Sequence, residues 1–512
     1  MNTKYFKLLL FLFAMPLAWF LSGCQKLTED PLASLTPVTY FQTQSDLDAS
    51  VAAIYTELTP DYAFGFTSRM TSCFGADDLT TDPGLNKGDF RVFDELNGSS
   101  STNSLLNQWQ GPWNAIYQAN NVLANYQKVN STDVLKQQSA GQAYFLRAFS
   151  YYYLVRVFGA VPVILTPISV SDRPQRDSVS KVYAAIVADL DAAISLLPTT
   201  FPGQPGKSTQ NAARSLLADV YLTMTGWPLN QTSNYALAAA EADSVINSGQ
   251  FTLVPDYAQV FTTNNSSESI FGLQFNVSGG VPERSYGSSS VPLDEVALNG
   301  SSGWDDYYPE INFYLNAPKC YRSWATFYDT IKLIQPGNTY KLVPWNSPLT
   351  HAGHPYYKKF RHAVGDGVIE TDTTILQMNP STNKVMDFIR YPMVLLDFAE
   401  ASDMASSGPT SAGYAAINLV RQRAGEPNLV PGLDQSAFQD SVVAERAYEF
   451  AGESGVRWFD IVRLQILPQI IAARSPLENP INMSGNLNNK YLAPIPISDM
   501  NNDPNWTQNP GY

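Results

Sequence analysis

Ala143-Tyr-Phe-Leu-Arg-Ala-Phe-Ser-Tyr-Tyr-Tyr-Leu-Val-Arg-Val-Phe-Gly-Ala-Val-Pro162 is the stretch on which the fold is decided. Phe145, Phe149 and Tyr152 recur at the spacing of one helical face, so Gln142 to Phe158 is expected as a helix with these rings on one stripe. The same period continues outward. Ser178 to Leu197 carries Tyr183, Ile186, Leu190, Ala193 and Leu197 on one face, and Pro198 stops it. Asn211 to Thr225 carries Ala213, Leu217 and Tyr221; Tyr235 to Asn247 carries Ala238, Ala242 and Val245 and closes at Gly249. Helical periodicity fills two blocks, about Ser45 to Ser248 and about Tyr391 to Leu467, which predicts a mostly α protein.

The last two helices are expected as a hairpin. Small alanines facing a Leu and a Tyr resemble a degenerate tetratricopeptide repeat, although any antiparallel helix pair has the same pattern. Between the blocks, from about 276 to 387, the period gives way to Gly, Ser, Asn, Asp and Pro mixed with aromatics. Phe64 to Asn103 has the same character. Both are expected as loops on a helical scaffold, where binding residues concentrate, with little sheet beyond pieces such as Ser269 to Phe275.

The chain has 512 residues and a formal charge of -14, which repels nucleic acid and anionic surfaces. It opens with Lys4 and Lys7 and an apolar run from Leu8 to Leu21, shorter than the roughly 20 residues of a spanning helix. Leu21-Ser22-Gly23-Cys24 resembles the lipobox of bacterial lipoproteins. Residues 1–23 then read as a lipoprotein signal peptide, Cys24 as the lipidated first mature residue, and 24–38 as a tether to the membrane. Cys73 and Cys320, the other two cysteines, have no metal-like spacing; they read as buried small hydrophobes, with a disulfide left open.

Several further segments share one resemblance. Ala143 to Pro162; Lys319 to Phe327 through Arg322, Thr326 and Phe327; Arg390-Tyr-Pro-Met-Val-Leu-Leu-Asp-Phe-Ala-Glu-Ala401; Val420 to Gly425; Glu445 to Arg463; and Pro494 to Tyr512 follow one another as the signatures of SusD-like (SusD/RagB) proteins do. The chain is thus similar to outer-membrane nutrient-binding lipoproteins of that family. The resemblance implies one SusD-like domain over 39–512, with tetratricopeptide-like hairpins at about 39–275 and 388–512 supporting a loop-rich ligand-binding lobe at about 276–387. It implies a surface-exposed, lipid-anchored protein without enzymatic activity, which captures an oligosaccharide for a SusC-like TonB-dependent transporter and closes over it as a hinged lid. The family also contains peptide receptors, and a lipid-anchored glycosidase is the reading from a different class.

Ring-bearing loops are the best lead to the site, because a sugar's apolar face stacks on an aromatic ring while its hydroxyls need polar partners. Ser285-Tyr-Gly-Ser-Ser-Ser290 and Asn299-Gly-Ser-Ser-Gly-Trp-Asp305 leave Tyr286 and Trp304 room to be exposed, and they match positions from which the starch-binding relatives are similar in supplying stacking rings. A third family contribution falls at Asn86 to Arg91, where this chain has Phe90 rather than Trp, with Asn86, Asp89 and Arg91 beside it; that departure leaves the glycan open.

Other constellations read as scaffold. Glu445, Glu449 and Glu453, at i, i+4 and i+8, are expected as a carboxylate stripe that draws Arg147, Arg421 and Arg423, with Arg457 pairing Glu453 along the helix. A glycosidase would use two such carboxylates as acid and base. Pro205-Gly-Lys-Ser-Thr209 lacks the first Gly of a phosphate loop, since Phe201 stands there, and Ser208 or Thr209 is expected to cap a helix. His351 and His354 offer only two ligands in a Gly-containing loop, so neither a metal nor a cofactor is expected.

Overall fold

The computed structural model describes residues 40–82, 84–169, 172–361, 367–481 and 485–512. The predicted signal peptide, Cys24, the tether and His362 lie outside them. Gln42–Tyr512 form one compact unit.

The main helices are α1 (Gln44–Leu58), α2 (Gly88–Asp94), α3 (Asn103–Asn125), α4 (Asp133–Phe158), α5 (Val179–Leu196), α6 (Gln210–Met224) and α7 (Asn234–Asn247), then α8 (Tyr391–Ala405), α9 (Ser411–Ala424), α10 (Gln435–Glu449) and α11 (Val456–Leu464). Their ends are written in the sequence. Thr43 and Asp46 form a capping box at α1, and Thr132, Ser178 and Thr209 accept from the third N–H of α4, α5 and α6. Gly425 closes α9 at φ +80°, a conformation that costs a residue with a Cβ. From α3 to α7 each helix packs on the next, and α7 also packs on α8 across the intervening lobe.

α4 departs from the one-stripe expectation. From Ser139 to Phe158 nearly every side chain is buried, including Tyr151, Tyr153 and Leu154 off the stripe. The reason is its place in the middle of the layer, with α3 on one side and α5 on the other. Arg147 is held there by Asp189 of α5 (2.8 and 2.7 Å) and by Asn120 of α3 (2.6 Å), so it is not a partner of the Glu445 stripe as expected.

β1 (Ser269–Leu273) pairs antiparallel with β4 (Met386–Arg390), Leu273 facing Met386 and Ser269 facing Arg390. This pairing brings together the two ends of the lobe. Phe271 of β1 and Phe388 of β4 meet Phe149 of α4 edge-on at 5.4 and 5.1 Å, which seats the lobe on the scaffold. The lobe is mostly irregular, but it holds a regular hairpin that the sequence reading missed. β2 (Thr330–Gln335) pairs in full register with β3 (Thr339–Pro344) around Pro336-Gly337-Asn338, and Gly337 and Asn338 both have positive φ.

The α6–α7 hairpin forms as expected. Ala238 packs with Leu222 and Tyr235, against Tyr221 and also against Ala401 of α8. Cys73 and Cys320 are both free thiols, so no disulfide joins them. Among the described residues no helix is long and apolar enough to cross a membrane.

Candidate functional site

Two loops approach each other to form a cleft of about 780 Å³. One side comes from Asn86 to Phe90, the turn leading into α2 and the first turn of that helix, and from Asn103, Ser104 and Asn107 in the first turns of α3; the other comes from Leu293 and from Ser302 to Trp304, with Phe66 also lining it. Lys87 and Asp306, both buried, form an ion pair between the sides. Burial pushes the Asp306 carboxyl up, and the ammonium facing it opposes that.

Trp304 is half-buried and Phe66 stands edge-on to it at 6.5 Å, with the Arg284 guanidinium 5.2 Å from the Phe66 ring and 5.7 Å from the indole. The Trp304 backbone is fixed by its N–H donating to Ser288 O at 2.8 Å. Gly303 has no alternative before it, since a Cβ there would meet Pro292 O at 2.1 Å. The polar rim is amide-rich. Asn86 and Asn103 are exposed, and Asn107 is half-buried with its Nδ2 donating to Ser68 Oγ at 3.1 Å. The buried Ser104 hydroxyl has no protein partner. Asp89 accepts from the Ser104 backbone N–H at 2.8 Å, serving α3 as a cap from the first turn of α2.

Of the residues singled out in the sequence, Asn86, Asp89, Phe90 and Trp304 come together here. Phe90 is 7% exposed and stacks on Phe74 at 4.9 Å and 3°, so it is part of the wall and not a free platform. Two expectations are corrected. Tyr286 is 5% exposed and stacks on Phe360 at 4.6 Å, because Glu283 accepts from the Ser285 and Tyr286 N–H groups and curls the chain inward. Arg91 points elsewhere as well; one helical step beyond Phe90, it donates to Gly84 O at 3.0 Å and does not line the cleft. Phe66, Asn103 and Asn107 were missed. Phe66 and Asn103 fall within the Phe64 to Asn103 stretch expected as loop, but nothing in their immediate neighbours singles them out, and Asn107 lies beyond it in α3.

A second cleft, about 550 Å³, is lined by Trp109, Trp113 and Trp506 with Ile168, Arg173 and Asp503.

The carboxylate stripe lines neither cleft. α10 ends at Glu449, so Glu453 lies beyond the helix, yet all three carboxylates meet arginines in one buried network. Arg322 reaches Glu445 (2.5 Å) and Glu449 (3.1 Å), and Arg390 reaches Glu449 (3.0 Å), Glu453 (3.0 Å) and Glu268 (2.9 Å). Arg421 pairs with Glu445 and Arg423 with Glu449, as expected, whereas Arg457 turns to Asp77 at 2.7 Å. Burial pushes the Glu449 carboxyl up, but Arg423, Arg390 and Arg322 outweigh it and hold it at about 2. His354 does not join His351; its Nε2 meets Glu478 at 3.0 Å. Burial opposes the charged ring, and the Glu478 carboxylate more than compensates, raising its pKa.

A helical layer carrying a loop-built lobe, with its ends zipped by one short strand pair, is the SusD-like fold. The solved SusD homologue from Bacteroides thetaiotaomicron superposes with a TM-score of 0.79 at 22% identity, covering 93% of this chain and 98% of that one. The surface glycan-binding protein A from Bacteroides uniformis gives 0.74 at 22% identity, over 91% and 99%. SusD-like protein P2 of Formosa agariphila is 29% identical, over 96% of this chain and 97% of its own. Residues 39–222 match the family model described as "Starch-binding associating with outer membrane", and residues 301–512 match that of the SusD family. The chain belongs to the SusD family.

Proposed function

We propose that this chain is a cell-surface glycan-binding lipoprotein, anchored in the outer membrane through Cys24, which takes up an oligosaccharide in the cleft at Trp304 and passes it to a SusC-like TonB-dependent transporter. One observation carries the reading: the cleft sets two partly exposed rings, Trp304 and Phe66, beside a rim of Asn86, Asp89, Asn103 and Asn107. Rings suit the apolar face of a pyranose, and amides both donate to and accept from its hydroxyls. The binding of glycan by a structural neighbour, surface glycan-binding protein A, points the same way. Delivery requires release, so micromolar affinity, about -8 kcal/mol, is sufficient.

Glu445, Glu449 and Glu453, the carboxylates the sequence offers as acid and base, are each committed to arginines away from the cleft, while in the cleft Asp306 pairs with Lys87 and Asp89 accepts from the Ser104 N–H, which supports binding without hydrolysis. The test is a panel of oligosaccharides and peptides titrated into purified protein, with the glycans re-examined afterwards by chromatography. The reading expects a glycan ligand recovered intact. A peptide ligand would replace it with the receptor alternative, and shortened glycan with the glycosidase.

A further inference from the structure

Three side chains next to the cleft, but not among those lining it, are unaccounted for by glycan capture. Asp305 follows Trp304, and its Oδ1 accepts from Tyr356 OH at 2.6 Å. Its Oδ2 is buried, on a side chain 1% exposed, and accepts no hydrogen bond of ordinary geometry, with the Leu293 backbone N–H the one further donor near the carboxyl among the described residues. A buried carboxylate oxygen left this way costs free energy unless something supplies positive charge. The groups around it make matters worse: Asp82, 6% exposed, offers its Oδ2, and Asp294 lies close enough to repel as well. Among the described residues, the basic group paired with this trio is His351, with Nδ1 3.6 Å from Asp305 Oδ2 and 3.7 Å from Asp82 Oδ2. Those separations are too long for hydrogen bonds. One ligand atom from each of Asp82, Asp305 and His351 lies within 4.8 Å of the other two.

We propose that Asp82, Asp305 and His351 form a site for a divalent cation of the zinc class. Zinc sits about 2.0–2.2 Å from N and O ligands in a tetrahedron, which sets those ligands about 3.4 Å apart, and the two distances from His351 approach that value. An imidazole among the ligands disfavours calcium and magnesium, which prefer all-oxygen shells. His351 is 49% exposed in its side chain, so an ion can enter there and a water can complete the fourth position. The ligands are held in place by their surroundings: Tyr356 orients Asp305, the Gly84 backbone N–H donates to Asp82 Oδ1 at 3.1 Å, and the His351 backbone N–H, which fixes its loop, donates to Asp294 at 2.6 Å. The ion would join three segments far apart in sequence. Two of them run directly into the cleft, Asp82 toward Asn86 and Asp305 from Trp304.

The test uses untagged protein stripped with a chelator and desalted. Zinc titrated by calorimetry should bind at one equivalent and raise the melting temperature by a few degrees, while calcium and magnesium at the same concentration do neither. His351→Ala, at a half-exposed position, should melt within a degree or two of the stripped wild type and lose the response to zinc, and Asp305→Asn should lose it too. The proposal is overturned if zinc is not taken up at one equivalent, if His351→Ala responds as wild type does, or if calcium gives the same shift.

Discussion

Trp304 and Tyr286 stand in stretches of nearly the same composition, Gly and Ser around one ring, yet one borders the cleft and the other is packed on Phe360. The difference lies outside both stretches. Glu283 pulls the Tyr286 loop into the lobe, and its own third contact is with Thr382, nearly a hundred residues away, so no local pattern announces it. The two substitutions should therefore separate. Trp304→Ala should weaken glycan binding by about 2- to 10-fold, the worth of a ring contact at about 0.5–1.5 kcal/mol, and change the melting temperature little. Tyr286→Ala should cost about 3–5 kcal/mol of stability, as other large buried rings do when truncated, read by denaturant unfolding. Equal losses of stability in the two variants would show that Trp304 is a packing residue.

At the scale of elements, helices were legible and their partners were not. The α5, α6 and α7 boundaries follow from periodicity and caps to within a residue or two, whereas full burial of α4 depends on neighbours contributed by both adjacent helices. The β2–β3 hairpin was hidden because its strands are polar on one face and short, and the Gly337-Asn338 turn was absorbed into a run of loop-like residues. The α10 carboxylates called for arginines, and local spacing supplied Arg421 and Arg423 but not Arg322 and Arg390, which arrive from the lobe and from β4. Glu449→Gln leaves Arg390, Arg423 and Arg322 short of a counter-charge, and breaking such a buried pair costs about 3–5 kcal/mol. Because the Glu449 carboxyl titrates at about 2 in the folded protein, below its ordinary 4.5, its stabilisation is complete above about 4.5 and is lost as the pH falls toward 2. The gap in unfolding free energy between wild type and Glu449→Gln should thus be full at pH 7 and narrow on acidification. A gap independent of pH would mean that the charge of Glu449 does not hold the network together.

For the whole molecule, the helical layer and the buried ion network form the base, and the cleft is assembled on it from two stretches well separated in sequence, 86–107 and 293–306, joined by Lys87 and Asp306. The fold was legible because its signatures are long and ordered along the chain. The cleft was half legible, since Asn86, Asp89, Phe90 and Trp304 fell at positions the resemblance marked, while Phe66, Asn103 and Asn107 carry no such mark and join them through tertiary packing. In the cell, Cys24→Ala should release the protein from the membrane fraction into the soluble one, checked by fractionation and blotting, with retention in the membrane counting against the lipid anchor. The most direct test of the account is a crystal structure of the protein with a glycan found to bind it. The sugar should lie in the 780 Å³ cleft with a ring against Trp304 and hydroxyls on the asparagine rim; a sugar seated instead among Trp109, Trp113 and Trp506, with the Trp304 cleft empty, would contradict it.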